Sequence, residues 1–232
     1  MKVGILCAGD REVAPFLPMI EEQRITEKAM LRFYEGKMEN VNVAVLFSGV
    51  CKVNAAIAAQ ILLDTYQCDA IINAGTAGAV VQGLNVMDTV VCTETAYHDV
   101  AAGILTEFHP WMKDIWMKAD AGLLSIAQMV ASQEKSHGTV VFGRMATGEA
   151  FIADDQYEKI SARFAPYTVD METASIAHVC YVNQKPFIAV RTVVDTPEHS
   201  GLAAFEANCA QTSKKSAAFV RDMLRLGKWN DK

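Results

Sequence analysis

Carboxylate side chains follow several apolar segments of this 232-residue chain. Glu12 comes after the apolar segment 2–8, and Asp195 comes after the apolar segment 187–194. Glu172 enters a helical segment that is otherwise almost wholly apolar, where an acid needs a partner. One carboxyl group can protonate a leaving group while another activates water. These three acids therefore indicate acid–base chemistry on a neutral, polyhydroxylated substrate.

Each of these acids also has a purely structural interpretation. Glu12 would be a favourable acid in the first turn of a helix. Asp170 and Glu172 would form an N-cap with a first-turn carboxylate, and Asp195 would be an N-cap or a turn residue. Arg191 is unusual in so apolar a strand, and we expect it to pair with an acid.

Residues 75–78, with the sequence GTAG, follow the apolar segment 69–73. Glycines at such a place allow backbone amides to approach a ligand closely. The segment is not a Walker loop, because no Gly-Lys-Ser/Thr follows, and it lacks the GxGxxG spacing of dinucleotide sites. A ligand-binding wall and a plain strand-to-turn connection both remain open.

The elements that must position these residues alternate between strands and helices. Strands are predicted over residues 2–8, 28–35, 40–47, 69–73, 88–92, 138–143 and 187–194. Helices are predicted over residues 51–66, 119–132, 154–163, 172–183 and 202–226. This alternation predicts an α/β fold, with a central mixed sheet in three α/β/α layers and a single domain over residues 1–232. Ligands bind beyond the carboxyl ends of the strands in such sheets, so the acids should converge on one edge.

The composition restricts the classes of function. The chain is 51% apolar and 21% charged, which is enough to build a substantial core. A net charge of −6 argues against a nucleic-acid binder that relies on phosphate neutralisation. No segment reaches the roughly 18 apolar residues that a membrane helix needs, so no membrane partner is expected.

The cysteines and histidines are scattered along the chain. Six cysteines form no CxxC pair, and the first residues do not resemble a secretory signal. We therefore expect buried free thiols in a cytoplasmic protein. The five histidines form no cluster with metal-ligand spacing, so neither a metal nor a cofactor is expected.

Five segments carry motifs that occur together in one family of enzymes. They are 48–53 (SGVCKV), 71–78 (IINAGTAG), 147–152 (TGEAFI), 168–180 (TVDMETASIAHVC) and 190–195 (VRTVVD). In this order and spacing they resemble the motifs of bacterial 5′-methylthioadenosine/S-adenosylhomocysteine nucleosidases, within the wider nucleoside phosphorylase/hydrolase group. The resemblance implies a nucleoside phosphorylase-like fold and hydrolysis of the N-glycosidic bond of adenine nucleosides with 5′-thio substituents.

The resemblance also implies a role for each matching acid. Glu12 would deprotonate the water that attacks the anomeric carbon, and Asp195 would protonate N7 of the departing purine. Glu172 would accept hydrogen bonds from the ribose hydroxyls. Thr76 stands where the family has a serine beside the aspartate, and it retains a hydroxyl group.

The remaining implied residues would surround the substrate. Met171 would pack on the sugar, Phe151 would stack on the purine, and the backbone of Ile152 would read the purine edge. The walls of the site would be completed by Val50, Gly78 and Phe205. The partners implied are a nucleoside, water and a second copy of the chain in a homodimer.

The chain departs from the family pattern in two places that bear on function. The family's first loop commonly reads G-A-M-x-E-E, whereas residues 7–12 read CAGDRE, so Arg11 is new. Residues 100–118 hardly match, and they would cover the 5′ substituent or lie at a subunit contact.

Two alternative functions remain beside hydrolysis. A phosphorylase normally holds phosphate with arginines, and Asn73 stands where related phosphorylases carry an arginine. Arg11 is the one feature that favours phosphorolysis. A catalytically silent nucleoside sensor is disfavoured because Glu12, Glu172 and Asp195 are all present.

Overall fold

The computed structural model describes residues 1–108, 111–133, 135–152 and 156–229. The strands of this part of the chain are Lys2–Cys7 (β1), Glu21–Lys28 (β2), Leu31–Met38 (β3), Val41–Phe47 (β4), Ala70–Ala79 (β5), Thr89–Tyr97 (β6), Met117–Lys118 (β7), Val140–Thr147 (β8), Thr168–Asp170 (β9) and Phe187–Asp195 (β10). The α-helices are Asp10–Val13 (α1), Lys52–Asp64 (α2), Ile104–Glu107 (α3), Ala121–Gln133 (α4), Gln156–Phe164 (α5), Thr173–Val182 (α6) and Leu202–Leu226 (α7).

All the strands join one mixed sheet, in the order β2-β3-β4-β1-β5-β9-β8-β6-β10, with β7 on β6. Strand β10 also pairs with β5, so the strands from β5 to β10 in this order close into a ring. The β1 strand runs parallel to both β4 and β5. This arrangement confirms the predicted α/β class with a central mixed sheet. The single domain over residues 1–232 stays a prediction.

Helices cover both faces of the sheet because the central strands are apolar on both sides. In β5, Ile71 packs into the cluster formed with α2 and α6, whereas the next residue, Ile72, packs into the cluster formed with α4 and α7. Successive strand residues point to opposite faces, so a continuous apolar run serves both layers. The carboxyl ends of these strands remain uncovered by the two layers, and there the polar residues gather.

The predicted strand over residues 28–35 is only partly confirmed, because residues 31–35 lie in β3 and the boundaries differ. This segment contains the end of β2, a turn at Ala29 and Met30, and the start of β3. Strand β2, with the sequence EEQRITEK, was not predicted because it is an exposed edge strand without apolar alternation. Its position comes from pairing with β3, which a local pattern cannot reveal.

Other element boundaries also differ from the prediction. The segment 75–78 lies inside β5 rather than after it, and β6 continues to Tyr97 rather than ending at residue 92. The start of the predicted helix 154–163 lies outside the described residues. The helix predicted over 202–226 coincides with α7.

All six cysteines are free thiols, and five of them are buried, as predicted. Among the described residues, no helix combines the length and the apolar character that crossing a membrane requires.

Candidate active site

A cavity of about 450 Å³ opens where β1, β5, β9 and β10 end. Its size lies within the range of small-molecule sites. The three acids Glu12, Glu172 and Asp195 all line it, although they are distant in sequence. The other predicted residues line the same cavity: Val50, Thr76, Gly78, Phe151, Ile152, Met171 and Phe205. The structure therefore brings all ten predicted site residues together.

Glu12 is buried on α1, and four donors hold its carboxylate. The Ala8 and Gly9 amides donate to Oε2 at 2.8 and 3.1 Å. The amide and the hydroxyl of Thr76 donate to Oε1 at 2.7 and 2.9 Å. A Cβ atom built on Gly75 would overlap this carboxylate, so the glycine is what allows Glu12 to lie against β5. The structure thus fixes the orientation of Glu12 far more tightly than a first-turn acid requires.

The position of Thr76 corrects an expectation drawn from the resemblance. Its hydroxyl donates to Glu12 rather than to Asp195. In the β5–β10 register, Thr76 lies opposite Thr192, and it is Gly78 that lies opposite Asp195. Thr76 and Gly78 lie two apart on β5 and therefore share a face of the strand. The Thr76 hydroxyl nevertheless bonds to the Glu12 carboxylate.

Arg191 is fully buried, and its guanidinium lies close to the carboxylates of Glu12 and Glu172. Its guanidinium donates to the Thr76 carbonyl at 3.0 Å, to Asn73 Oδ1 at 2.9 Å and to Glu172 Oε2 at 3.3 Å. It also lies 3.7 Å from Glu12 Oε1. The expected pairing of Arg191 with an acid is confirmed, because a buried charge of this kind requires both counter-charge and hydrogen bonds.

Glu172 is the N-cap residue of α6, and its side chain turns into the cavity. Its Oε1 accepts a hydrogen bond from the Cys51 amide at 2.9 Å. Burial raises the pKa of Glu172 to about 7, against the opposing influence of Arg191. Asp170 performs the capping role instead, because its Oδ1 accepts the Thr173 amide at 2.9 Å. The structural interpretation therefore holds for Asp170.

Asp195 ends β10, and only 2% of its surface is exposed. Its Oδ2 has no hydrogen-bond partner among the described residues. Burial raises the pKa of Asp195 to about 6, and the Gly201 amide partly opposes this. A Cβ atom at Gly78 would come within 2.9 Å of Oδ1, so this carboxylate also lies against a glycine of β5. Such a group retains a proton more readily than an exposed aspartate.

The apolar side of the cavity comes from the segment after β8 and from α7. Phe151 is half exposed, whereas Ile152 is buried. Arg11, which the sequence suggested only as a residue favouring phosphorolysis, also lines the cavity. Tyr157 of α5 and three residues of α7 were not predicted: Leu202, Glu206 and Cys209. Leu202 and Cys209 lie three and four positions from Phe205, so helical spacing could have found these two once Phe205 was placed, whereas Glu206 directly follows it.

The segment 100–118 contributes none of its described residues to the cavity. Phe108 and Trp111 are exposed, but Met112 and Met117 are buried in the core. The described part of this segment therefore exposes some of its large apolar side chains and buries others. Within one subunit, the described residues of this segment do not cover a ligand in the cavity.

The chain is similar in sequence and in fold to known proteins. The model of the phosphorylase superfamily matches residues 2–225. The 5′-methylthioadenosine/S-adenosylhomocysteine nucleosidase of Actinobacillus succinogenes is 35% identical over 97% of this chain and 98% of its own length. The enzyme of the same name from Staphylococcus carnosus is 33% identical over 96% of this chain and 99% of its own length. The structure of such a nucleosidase from Colwellia psychrerythraea, in complex with adenine, has a TM-score of 0.88 at 31% identity and covers 97% of this chain and 96% of that one.

Proposed function

The chain belongs to the phosphorylase superfamily, and from this premise we propose that it hydrolyses the N-glycosidic bond of adenine nucleosides with a 5′-thio substituent. Its substrates are 5′-methylthioadenosine and S-adenosylhomocysteine, for which its relatives are named. The products are adenine and the corresponding thioribose. One observation carries the proposal: Glu12, Glu172 and Asp195 meet in a single cavity.

Asp195 supplies the proton for the leaving group. Its unpartnered Oδ2 and its raised pKa favour a protonated carboxyl group that can donate to N7 of the purine. As the bond between N9 and the anomeric carbon breaks, its electron pair moves onto the purine, and the proton from Asp195 neutralises it. The acid thereby turns a poor leaving group into neutral adenine.

Glu12 activates the water that completes the reaction. The water oxygen bonds to the anomeric carbon, and its proton passes to the Glu12 carboxylate. Since four donors already occupy this carboxylate, the water must replace one of them. The Gly9 amide, at 3.1 Å, makes the longest of these bonds and is the donor that we expect to yield.

Glu172 and Met171 hold the sugar. Glu172 has one oxygen toward the Cys51 amide and the other toward Arg191, and it accepts the ribose hydroxyls with its remaining capacity. Positive charge develops on the sugar ring mainly in the transition state. Carboxylates around the ring therefore stabilise that state more than the substrate.

The purine and the 5′ substituent occupy the apolar part of the cavity. Phe151 stacks on the purine, and the backbone of Ile152 reads its edge. Phe205 and Val50 form walls, and Gly78, which has no side chain, allows the Asp195 carboxylate to lie close to the purine. No metal or cofactor enters this scheme.

Hydrolysis is favoured over phosphorolysis by the charges at the sugar side. Asn73 is buried, and its side-chain amide donates to the Leu6 carbonyl. Its Oδ1 accepts hydrogen bonds from the Thr173 hydroxyl and from Arg191. The carboxylate of Glu12 stands where an attacking phosphate would be repelled. Arg11 lines the same cavity, but its side chain is exposed, whereas the acids that would surround the sugar are buried.

The decisive experiment measures adenine release from 5′-methylthioadenosine with and without phosphate. We expect release without phosphate, no turnover by Asp195→Asn, and slow turnover with retained binding by Glu12→Gln. Asp64→Asn, a surface change on α2, is the matched control, and thermal unfolding establishes that each variant is folded. Strict phosphate dependence would show a phosphorylase, and tight binding without turnover would show a sensor.

A homodimer and a cytoplasmic location belong to the same proposal. Three large apolar side chains each expose more than half of their surface: Val53 on α2, Phe108 and Trp111. The Tyr181 hydroxyl of α6 donates to the Trp111 carbonyl, which ties that segment to the helix layer. Burying these side chains against a second copy would remove apolar area from water. Six free thiols suit a reducing compartment. Light scattering that shows a monomer would refute the dimer.

A further inference from the structure

Arg11 is a cation on the wall of the cavity that the proposed reaction does not use. Its side chain is exposed, and within the described residues no hydrogen bond or ion pair holds its guanidinium. The other arginine of the wall, Arg191, is buried and fully engaged. Arg11 is therefore the cation that a ligand at the mouth of the cavity would meet.

Open space lies at Gly9, two residues before Arg11 in the same wall of the cavity. Gly9 lines the cavity, and a Cβ atom built there would meet nothing within 4 Å. Its φ of −125° is one that any residue adopts, so the backbone does not demand glycine. The family commonly has methionine at this position. The missing side chain leaves room for a substituent longer than a methyl group.

The charges around Arg11 define where an anion could bind. Asp10, directly beside Arg11, also lines the wall, and its Oδ1 is engaged by the Arg11 amide at 2.8 Å. The other acids, Glu12, Asp170, Glu172 and Asp195, line the sugar side, so a ligand carboxylate would be repelled from there. Glu206, which directly follows Phe205 on α7, also lines the wall. An ammonium group beside the carboxylate would find its counter-charge at this acid.

We propose that Arg11 is a specificity-determining residue that binds a carboxylate at the end of the 5′-thio substituent, with Glu206 facing the neighbouring ammonium group. This rests on the proposed function and makes S-adenosylhomocysteine the better of its two substrates. A planar guanidinium suits a carboxylate, because two parallel hydrogen bonds can form. The Gly9 space is the path by which the longer chain reaches Arg11.

The test compares four nucleosides that differ only at the 5′ sulfur. They carry a methyl group, the whole homocysteine, a 3-carboxypropyl chain that lacks the amino group, or a 3-aminopropyl chain that lacks the carboxylate. The ratio of kcat/KM for each chain to kcat/KM for the methyl compound is measured in the wild type, in Arg11→Gln and in Gly9→Met. Arg24→Gln, which removes an exposed arginine of β2, is the matched control.

In Arg11→Gln we expect the ratio to fall about 5- to 20-fold for both carboxylate substrates and to stay constant for the aminopropyl compound. The remaining preference should no longer weaken with salt, as it does in the wild type. Gly9→Met should lower the ratio for all three long chains. Unchanged ratios in both variants would overturn the proposal even if all four compounds are hydrolysed. Phosphate-dependent cleavage that disappears in Arg11→Gln would also overturn the proposal, because Arg11 would then bind phosphate as a co-substrate rather than the carboxylate of the 5′ substituent. If no compound is cleaved by the wild type, the proposed function itself fails.

Discussion

Replacing Arg191 with methionine tests how the buried acids are held. The change keeps much of the side-chain volume but removes four hydrogen bonds, to Asn73, Thr76, Glu172 and Thr173. Breaking a buried ion pair from one side typically costs about 3–5 kcal/mol, because a charge is left without compensation. Here several carboxylates lose the same cation, so we expect a loss of about 4 kcal/mol in the free energy of unfolding at pH 8. That is a large part of the roughly 5–15 kcal/mol that stabilises most domains.

The loss should depend on pH in a definite direction. Burial already raises the pKa of Glu172 to about 7, and removing Arg191 raises it further. A carboxyl group with a raised folded pKa stabilises the protein below its ordinary pKa, and this contribution disappears as the pH rises through the folded value. The deficit of Arg191→Met should therefore be smaller at pH 5 than at pH 8, by more than about 1 kcal/mol.

Urea unfolding followed by circular dichroism at both pH values measures this difference. Arg24→Met is the control for removing a positive charge from an exposed strand, and we expect it to change stability by less than about 0.5 kcal/mol. Arg191→Lys should lie between the wild type and Arg191→Met, since a charge is kept but the fork of donors is lost. A deficit below about 1 kcal/mol at pH 8, or equal deficits at both pH values, would refute the electrostatic reasoning.

Two further changes test the backbone and the acid. Cys51 has φ 86° and ψ 160°, a backbone conformation that essentially only glycine adopts without strain, and its amide donates to Glu172. Cys51→Gly should therefore raise the free energy of unfolding by about 1 kcal/mol and retain activity, because the amide is kept. A lower urea midpoint in Cys51→Gly would contradict this strain. Because the pKa of Asp195 is raised to about 6 and its protonated form is required, kcat/KM for 5′-methylthioadenosine should fall about tenfold per pH unit above that value. A profile that stays flat from pH 6 to 8 would remove Asp195 from the acid role.

Much of the site could be predicted because ligands in α/β sheets bind beyond the ends of the strands, where these polar residues lie. Glu12 and Asp195 follow β1 and β10, which run parallel to β5, so their ends meet at one edge. Glu172 reaches the same edge differently, because it follows the short strand β9, which pairs antiparallel with the end of β5. Arg191 could be expected to pair because a cation in an apolar strand is costly alone. These inferences rely on periodicity and burial, which the sequence carries locally.

The parts that escaped prediction depend on contacts between distant segments. Strand β2 is polar throughout and exists because β3 pairs with it. The extension of β5 through residues 75–78 depends on its neighbours, since glycines alone favour turns. The partner of the Thr76 hydroxyl depends on which carboxylate lies nearer, and family patterns do not contain that distance.

The continuation of β5 through its glycines has a geometric consequence for catalysis. Glu12 rests against Gly75 and Asp195 rests against Gly78, so three steps of one strand, roughly 10 Å of rise, separate the two contact points. The spacing of base and acid is consequently a property of main-chain length rather than of rotamer choice. Inserting a single residue within 75–78 would displace one contact by about 3.3 Å and invert the faces beyond it. Exchanging side chains around the substrate would leave this spacing intact, whereas changing the number of residues in this stretch of β5 would alter it.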